Sequence, residues 1–281
     1  MASTRTPSRR ASLTRLGAAR GGLDDRRAID ERPGIRRGLH KLTRHPNVLA
    51  QQASTVNQAA GGRLILGIGP SHQPGVERLG LDYDRPAQHI REYVEILRDL
   101  TTDGVTRHRG EYYRMAAGYA LPGAASFPIM ISALAPLMLR VAGEVADGTI
   151  TWMAGPTALS EHVLPRITAA AESAGRPAPR VVAGVPVAVA DDADEARRIA
   201  GETFEVYGRL TNYRRILDRG ELGGPEDVAI VGREPEVEAQ IAALAEAGAT
   251  DVIAAVFPVG DNPAASVQRT TELLASLAAD S

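Results

Sequence analysis

Residues 61–73 form a continuous stretch in which a glycine pair, an apolar run and a short polar loop follow one another. The run from Leu64 to Ile68 carries no charged side chain, which is typical of a strand buried on both faces of a parallel sheet. Gly67 and Gly69 end the run, and polar side chains begin soon afterwards. Ligands of α/β folds bind at the carboxyl ends of parallel strands. This stretch therefore predicts a strand that carries a loop to a ligand site.

Strand and helix patterns alternate through most of the chain. A helical pattern follows each predicted strand, and these strands begin near residues 64, 129, 149, 181 and 251. The alternation predicts a parallel sheet covered by helices. An eight-stranded barrel needs further strands, and no strand pattern precedes residue 44. We therefore expect an α/β fold, namely a TIM-like (β/α)8 barrel that is incomplete at its N-terminus.

The start of the chain differs in composition from the rest. Residues 1–44 contain 12 basic and four acidic residues (12 − 4 = +8), which leaves 20 basic against 30 acidic residues in the remainder (20 − 30 = −10). We predict a basic segment of low order over residues 1–43 and one barrel domain over residues 44–281. A transit peptide and a basic arm for nucleic acid are alternative interpretations of the segment. The acidic remainder argues against nucleic-acid binding by the domain.

Composition excludes several classes of chemistry. The chain has no cysteine, so thiol catalysis, disulfides and cysteine-ligated metals are ruled out. Lys41 is the only lysine, which argues against Schiff-base catalysis. His89, His108 and His162 have no partner at metal-ligand spacing, so we predict no metal site. No apolar run approaches the roughly 20 residues that span a bilayer, and we expect no membrane association.

Several strings of residues between positions 44 and 279 carry a resemblance to a known family. The strings are Arg44-His45-Pro46, Ala50-Gln51-Gln52-Ala53, Gly61-Gly62-Arg63-Leu64, Leu66-Gly67-Ile68-Gly69-Pro70-Ser71-His72-Gln73, Arg91-Glu92-Tyr93, Met138-Leu139-Arg140-Val141-Ala142-Gly143-Glu144-Val145-Ala146-Asp147-Gly148 and Trp152-Met153-Ala154-Gly155-Pro156. In order and spacing they resemble the luciferase-like monooxygenase superfamily. More narrowly, they resemble its actinobacterial branch of oxidoreductases that depend on coenzyme F-420.

The resemblance implies a function as well as a fold. It implies a TIM-like barrel of the luciferase-like type that binds coenzyme F-420, or alternatively FMN, at the carboxyl ends of its strands. Hydride then passes between the cofactor ring and a small organic substrate. A homodimer and a cytoplasmic location are further implications. Family members normally carry three strand-helix units before the Arg44-His45-Pro46 string, so the alternative is a truncated, non-catalytic paralogue or partner subunit.

Two strand ends supply the predicted cofactor site. Backbone amides at a helix N-terminus bind phosphate, and the small residues at positions 132–136 admit a phosphate close to the main chain. In the family, a glycine usually stands near position 135, so Ala135 is acceptable there only with a negative φ. The predicted cofactor-binding residues are Gly67, Gly69, Pro70, Ser71, Ser132, Ala133, Leu134, Ala135 and Pro136.

Two further side chains receive a predicted role. His72 follows the glycine loop and can exchange a proton near neutral pH, so it is the candidate general acid or base. The alternative is a histidine that caps or orients the loop. Trp152 ends a predicted strand at the ligand end and is a candidate wall of the substrate pocket, with a core position as the alternative.

Three expectations concern the scaffold. Residues 104–127 are rich in Tyr and Gly and predict an irregular excursion. The charged residues of the preceding helix predict a solvated ion-pair face, which comprises Arg91, Glu92, Glu95 and Arg98. Glu144 and Asp147 are expected to pair with Arg140.

Overall fold

The computed structural model describes the backbone of residues 15–18 and 35–40, and it describes residues 44–120 and 125–279 in full. These residues belong to two compact units. The N-terminal unit comprises the described residues within 35–152 and 161–182, and the C-terminal unit comprises residues 15–18, 153–160 and 183–279.

The strands are β1 (Arg15–Ala18), β2 (Ile35–His40), β3 (Ile65–Gly69), β4 (Val105–Arg109), β5 (Arg114–Gly118), β6 (Ile129–Ser132), β7 (Gly148–Trp152), β8 (Arg180–Val189), β9 (Ile230–Gly232) and β10 (Asp251–Val256). The helices are α1 (Pro46–Ala59), α2 (Gln73–Glu77), α3 (Pro86–Thr102), α4 (Pro136–Val145), α5 (Pro156–Ala158), α6 (Leu164–Ser173), α7 (Ala193–Thr203), α8 (Glu205–Arg209), α9 (Thr211–Arg219), α10 (Pro225–Val228), α11 (Glu234–Glu246) and α12 (Pro263–Ala279). A π-helical turn (Leu159–Val163) lies between α5 and α6.

The N-terminal unit is built on a parallel sheet in the order β2-β3-β6-β7. Four successive residues of β3, from Ile65 to Ile68, are buried, as expected for a strand covered on both faces. Helix α3 turns Ile90, Val94 and Leu97 into the core, which is the face that the helical spacing predicts. The parallel pairing and alternating elements confirm the predicted α/β class.

The C-terminal unit repeats this construction. Strand β10 pairs with β1 and with β8, and β8 pairs in parallel with β9. Small side chains fill much of its core, and Phe257 meets Phe204 edge to face at 5.7 Å between ring centroids. Because aromatic residues are scarce, alanine and valine supply most of the remaining contacts.

Five of the ten described strands were not predicted, namely β1, β2, β9 and the hairpin strands β4 and β5. The prediction that no strand precedes residue 44 is wrong, because β1 and β2 lie there and pair in parallel with β10 and β3. Backbone pairing with a neighbouring strand fixes such segments even where local periodicity is weak. Strand β9 was also missed, because it is only three residues long. The low order expected for the rest of residues 1–43 lies outside the described residues.

The region predicted to be irregular is a β-hairpin. Strands β4 and β5 pair antiparallel, and the turn between them is held by Glu92 of α3. This carboxylate is 2% exposed and accepts the backbone N–H groups of Glu111, Tyr112 and Tyr113 at 2.8–3.1 Å. Glu92 therefore does not belong to a solvated ion-pair face, and the prediction is wrong for this residue, whereas Arg91 and Glu95 do form an ion pair.

Hydrogen bonding decides the charge state of Glu92. Burial alone would raise the pKa of this carboxyl. Hydrogen bonds from the Gln88 amide and the three backbone N–H groups have the opposite and larger effect, and the pKa falls to about 2. The ionised carboxylate is thus the form that holds the hairpin.

The acids of α4 and the following turn also have partners other than Arg140. Glu144 pairs with Arg91 of α3. Asp147 pairs with Arg98 and Arg176 and accepts the backbone N–H of Ile129 at 2.8 Å. Asp147 therefore links the start of β6 to Arg98 of α3 and to Arg176, which follows α6. Sequence spacing within one helix could not reveal these partners, because they come from other elements.

Within the described ranges, no helix combines the length and hydrophobicity needed to cross a membrane.

Candidate functional site

The two predicted loops meet at the carboxyl ends of adjacent strands. Strands β3 and β6 run parallel with Gly67 opposite Met130 and Ile68 opposite Ile131. The next residues, Gly69 and Ser132, are therefore neighbours. A Cβ atom at position 69 would lie 3.2 Å from the Ser132 Cβ and 3.3 Å from its Oγ, so the absence of a side chain lets the two strands end close together. The Ser132 side chain is exposed at this point.

The turn from β6 into α4 meets the condition set for Ala135. This residue has φ −74° and ψ 147°, so its methyl group causes no backbone strain. Ala135 is the N-cap of α4, and Pro136 occupies the first helical position. No side chain caps the helix, which leaves its first backbone N–H groups without that type of partner. Ala135 and Pro136 are exposed.

The inner side of the same turn is anchored by two buried side chains. The Thr149 hydroxyl lies 2.9 Å from the carbonyl oxygen of Ile131 and 3.3 Å from that of Ala133. The Nε2 atom of His162 lies 2.7 Å from the carbonyl oxygen of Leu134. Sequence reasoning considered His162 only as a metal ligand. The contact joins residues 28 positions apart, and no local pattern signals it.

The loop after β3 has an unusual backbone conformation. Ser71 has φ +63°, a left-handed conformation that non-glycine residues adopt at a cost. The half-buried Tyr83 donates its hydroxyl to the Ser71 carbonyl at 3.1 Å. Burial raises the pKa of Tyr83, so the phenol stays a donor throughout the physiological range. This hydrogen bond stabilises the loop that precedes His72.

His72 is half-buried and stands at the N-cap of α2, but its side chain makes no capping hydrogen bond. The alternative interpretation, a histidine that caps or orients the loop, is untested and stays a prediction. Its role as general acid or base also stays a prediction.

The remaining predicted residues fall around the same strand ends. Gly67 is buried inside β3, whereas Gly69 and Pro70 are partly exposed where the strand ends. Trp152 ends β7 and is half-buried, and β7 lies directly beside β6 with Ile150 opposite Ser132. The structure thus brings the carboxyl ends of β3, β6 and β7 to one edge of the sheet.

Other features of the described residues lie elsewhere. A cavity of about 160 Å³ in the C-terminal unit is lined by apolar side chains that include Leu222, Val228, Ile230 and Leu244. None of the predicted site residues lines it. The described part of the chain contains no group of three or more His, Asp or Glu side chains that could hold a metal ion.

Comparison with known proteins adds information on family and fold. Residues 37–279 match the family model described as luciferase-like monooxygenase. The 5,10-methylenetetrahydromethanopterin reductase of Archaeoglobus fulgidus is 29% identical over 86% of this chain and 81% of its own length.

Solved structures similar to this chain include the following two. One is the coenzyme F-420-dependent tetrahydromethanopterin reductase of Methanopyrus kandleri, with a TM-score of 0.66, 21% identity and coverage of 84% of this chain and 80% of that chain. The other is the oxygenating constituent of 3,6-diketocamphane monooxygenase of Pseudomonas putida in complex with FMN, with a TM-score of 0.66, 21% identity and coverage of 86% and 78%. These similarities confirm the fold expected for the chain, that of the luciferase-like TIM-barrel enzymes.

Proposed function

Because the chain belongs to the luciferase-like monooxygenase family, we propose that it is an oxidoreductase that transfers hydride between coenzyme F-420 and a small organic substrate. The methanopterin reductases among its relatives support a reductase, and one of them is named as dependent on coenzyme F-420. FMN is the alternative cofactor, because one of the similar solved structures is a complex with FMN.

The observation that carries the proposal is the pairing of Gly69 with Ser132 beside the uncapped start of α4. These residues fit a cofactor that joins a flat ring to a phosphate. The bare backbone at Gly69 offers a surface against which a ring can lie. The exposed Ser132 hydroxyl and the first amides of α4 are hydrogen-bond donors suited to an anion.

Each predicted residue has a physical task in this proposal. The cofactor, when bound, supplies the carbon that gives or accepts the hydride. Ser132 and the turn 133–136 bind the phosphate. Ala135 is compatible with this turn because its φ is negative and its methyl group causes no backbone strain. Gly67, Gly69 and Pro70 shape the strand end behind the ring, and the Ser71 hydroxyl bonds a polar atom of the ring.

Proton transfer is assigned to His72. Hydride transfer to or from a carbon bonded to oxygen or nitrogen requires a proton to move at the heteroatom, and an imidazole is suited to this task near neutral pH. Tyr83 holds the preceding peptide group in place through Ser71. Trp152 forms a wall of the substrate pocket at the end of β7.

The alternative of a truncated, non-catalytic paralogue receives no support from the comparisons, since the relatives are named as a reductase and a monooxygenase component. A small-molecule substrate is consistent with those names, and its identity is not assigned. A homodimer and a cytoplasmic location stay predictions from the family resemblance.

The test is a fluorescence titration of the purified full chain with coenzyme F-420 and, separately, with FMN. Saturable micromolar binding of coenzyme F-420 alone supports the proposal. Binding of FMN alone would move the assignment to the alternative cofactor. Binding of neither would contradict the proposed function.

A further inference from the structure

A buried histidine outside the predicted site contacts the turn between β6 and α4. His162 is 3% exposed and belongs to the π-helical turn before α6. Its Nε2 atom lies 2.7 Å from the carbonyl oxygen of Leu134. A carbonyl oxygen can only accept a hydrogen bond, so Nε2 carries the proton and donates.

This hydrogen bond determines where the next backbone N–H points. In a planar trans peptide, the C=O of one residue and the N–H of the following residue point in opposite directions. The Leu134 carbonyl is directed at the buried imidazole. The N–H of Ala135 is therefore directed to the opposite side, where Ala135 and Pro136 are exposed.

His162 is held firmly enough to impose this orientation. Helix α6, which follows the π-helical turn, packs closely against α4 at Gly143. A Cβ atom at position 143 would lie 2.5 Å from the carbonyl oxygen of Ile167 and 2.7 Å from the Ala170 Cβ, so the two helix backbones are in near contact. The imidazole thus reaches the turn from an element whose distance from α4 is fixed. Short π-helical segments within helices are frequent at functional sites.

We infer that His162 is a positioning residue for anion binding, which orients the Ala135 amide toward the phosphate of a phosphorylated cofactor. This inference rests on the proposed function. His162 touches neither cofactor nor substrate in this account, and it acts through the Leu134 carbonyl. Loss of the bond leaves the half-buried Leu134 carbonyl without the His162 donor and frees the peptide group to rotate.

The test compares two ligands that differ only in the anionic part. Dissociation constants are measured for coenzyme F-420 and for the same deazaflavin without its phosphate-linked tail. The ratio of the two constants reports the contribution of the anionic tail, which includes the phosphate. We expect the wild-type chain to prefer the phosphorylated form by about tenfold or more, the effect of one or two charge-assisted hydrogen bonds.

Two polar variants separate positioning from folding. The side-chain amide of H162Q can occupy the place of Nε2 and donate to Leu134, whereas the shorter side chain of H162N cannot reach it. We expect H162N to lower the affinity ratio by about fivefold or more, the effect of one lost hydrogen bond, and H162Q to retain it within about twofold. Affinity for the tail-free deazaflavin should not change in either variant.

Thr151 provides a matched control. Its buried hydroxyl donates to the carbonyl of Val182 at 3.2 Å, which is the same kind of bond in the same unit but away from the turn. T151V should leave the affinity ratio unchanged. Thermal melts of all variants check that the fold is intact.

The outcomes separate the two proposals. If the wild-type chain binds both deazaflavins equally well, the proposed phosphate site is wrong and the inference fails with it. If the wild-type chain discriminates but H162N discriminates as strongly, only the inference is overturned. A uniform loss of affinity for both ligands in H162N would also overturn it, because it would indicate a general structural role.

Discussion

Gly69 and Ser132 end two adjacent parallel strands, and a Cβ atom at position 69 would lie 3.2 Å from the Cβ of Ser132. The backbone of Gly69 has no left-handed conformation that would demand glycine. Glycine is therefore required at position 69 for steric reasons and not for its backbone conformation. In the proposed function the space at this position belongs to the ring of the cofactor.

Replacement of Gly69 by alanine should weaken cofactor binding by about tenfold or more, because the methyl group crowds Ser132 and the ring surface. The cost in stability should stay within about 1–3 kcal/mol, the range for overpacking. The control is Gly75→Ala, whose added Cβ would have its nearest neighbour, the Ser71 Oγ, at 3.9 Å. Equal affinity of Gly69→Ala and wild type for coenzyme F-420 would contradict the claim that a side chain at position 69 hinders cofactor binding.

Replacement of His72 by glutamine should lower turnover by about 10²–10⁴-fold while leaving the cofactor dissociation constant near that of wild type. The reason is that an amide keeps a polar side chain at the loop but cannot exchange a proton. Steady-state kinetics with a substrate identified by screening, together with cofactor titration, check this prediction. A variant that loses binding and turnover in parallel would assign His72 to loop orientation instead.

Replacement of Tyr83 by phenylalanine removes the hydrogen bond to Ser71, whose φ is +63°. We expect a loss of about 1 kcal/mol in the free energy of unfolding and weaker cofactor binding, because the strained loop loses its support. Addition of Ser71→Gly to this variant should recover stability, since glycine adopts this φ without strain. Denaturant unfolding of the single and double variants measures both effects. If the double variant is no more stable than Tyr83→Phe, the explanation by backbone strain is wrong.

Replacement of Glu92 by glutamine should destabilise the chain by about 1.5–3 kcal/mol at pH 7, because a charged acceptor of several backbone N–H groups is lost. The pKa of Glu92 is about 2, below its usual value of 4.5. A lowered carboxyl pKa stabilises the fold above pH 4.5, and this contribution disappears as pH falls toward 2. The stability of wild type should thus decline more steeply with acid than that of Glu92→Gln.

The control for this prediction is Glu95→Gln on the same helix. Glu95 is 40% exposed, and its carboxylate lies 4.0 Å from the Arg91 guanidinium. Exposed pairs of this type contribute under about 1 kcal/mol. If Glu92→Gln and Glu95→Gln have the same small effect, the hairpin does not depend on the buried carboxylate.

Local pattern was sufficient for some parts of this molecule and insufficient for others. The apolar run that ends at Gly69 and the helix that starts at Pro136 have strong periodicity and turn signals, so strand, loop and helix could be predicted close to their observed bounds. Strand β9 and the two N-terminal strands depend on pairing with distant neighbours and have no such signal.

The same distinction applies to the candidate site. The two loops could be predicted because each is contiguous in sequence. Their supports could not, because Tyr83, Thr149 and His162 act on backbone carbonyls of residues far along the chain. Glu92 shows the opposite error: helical spacing suggested an exposed charge, whereas the hairpin that follows covers it.

The central claim is that the uncapped start of α4 binds an anion. Aspartate is a preferred N-cap residue and stabilises helices by about 0.5–2 kcal/mol relative to alanine. Ala135→Asp should therefore raise the melting temperature, yet its carboxylate should occupy the amides and repel a phosphate. Ala135→Asn is the matched control, since it caps the helix without a negative charge.

The most direct measurement is the dissociation constant of coenzyme F-420 for wild type, Ala135→Asn and Ala135→Asp, paired with the thermal melt of each chain. We predict that Ala135→Asp is more stable than wild type and binds the cofactor at least about tenfold more weakly, and that Ala135→Asn is intermediate in affinity. Unchanged affinity in a stabilised Ala135→Asp chain would contradict an anion site at this turn.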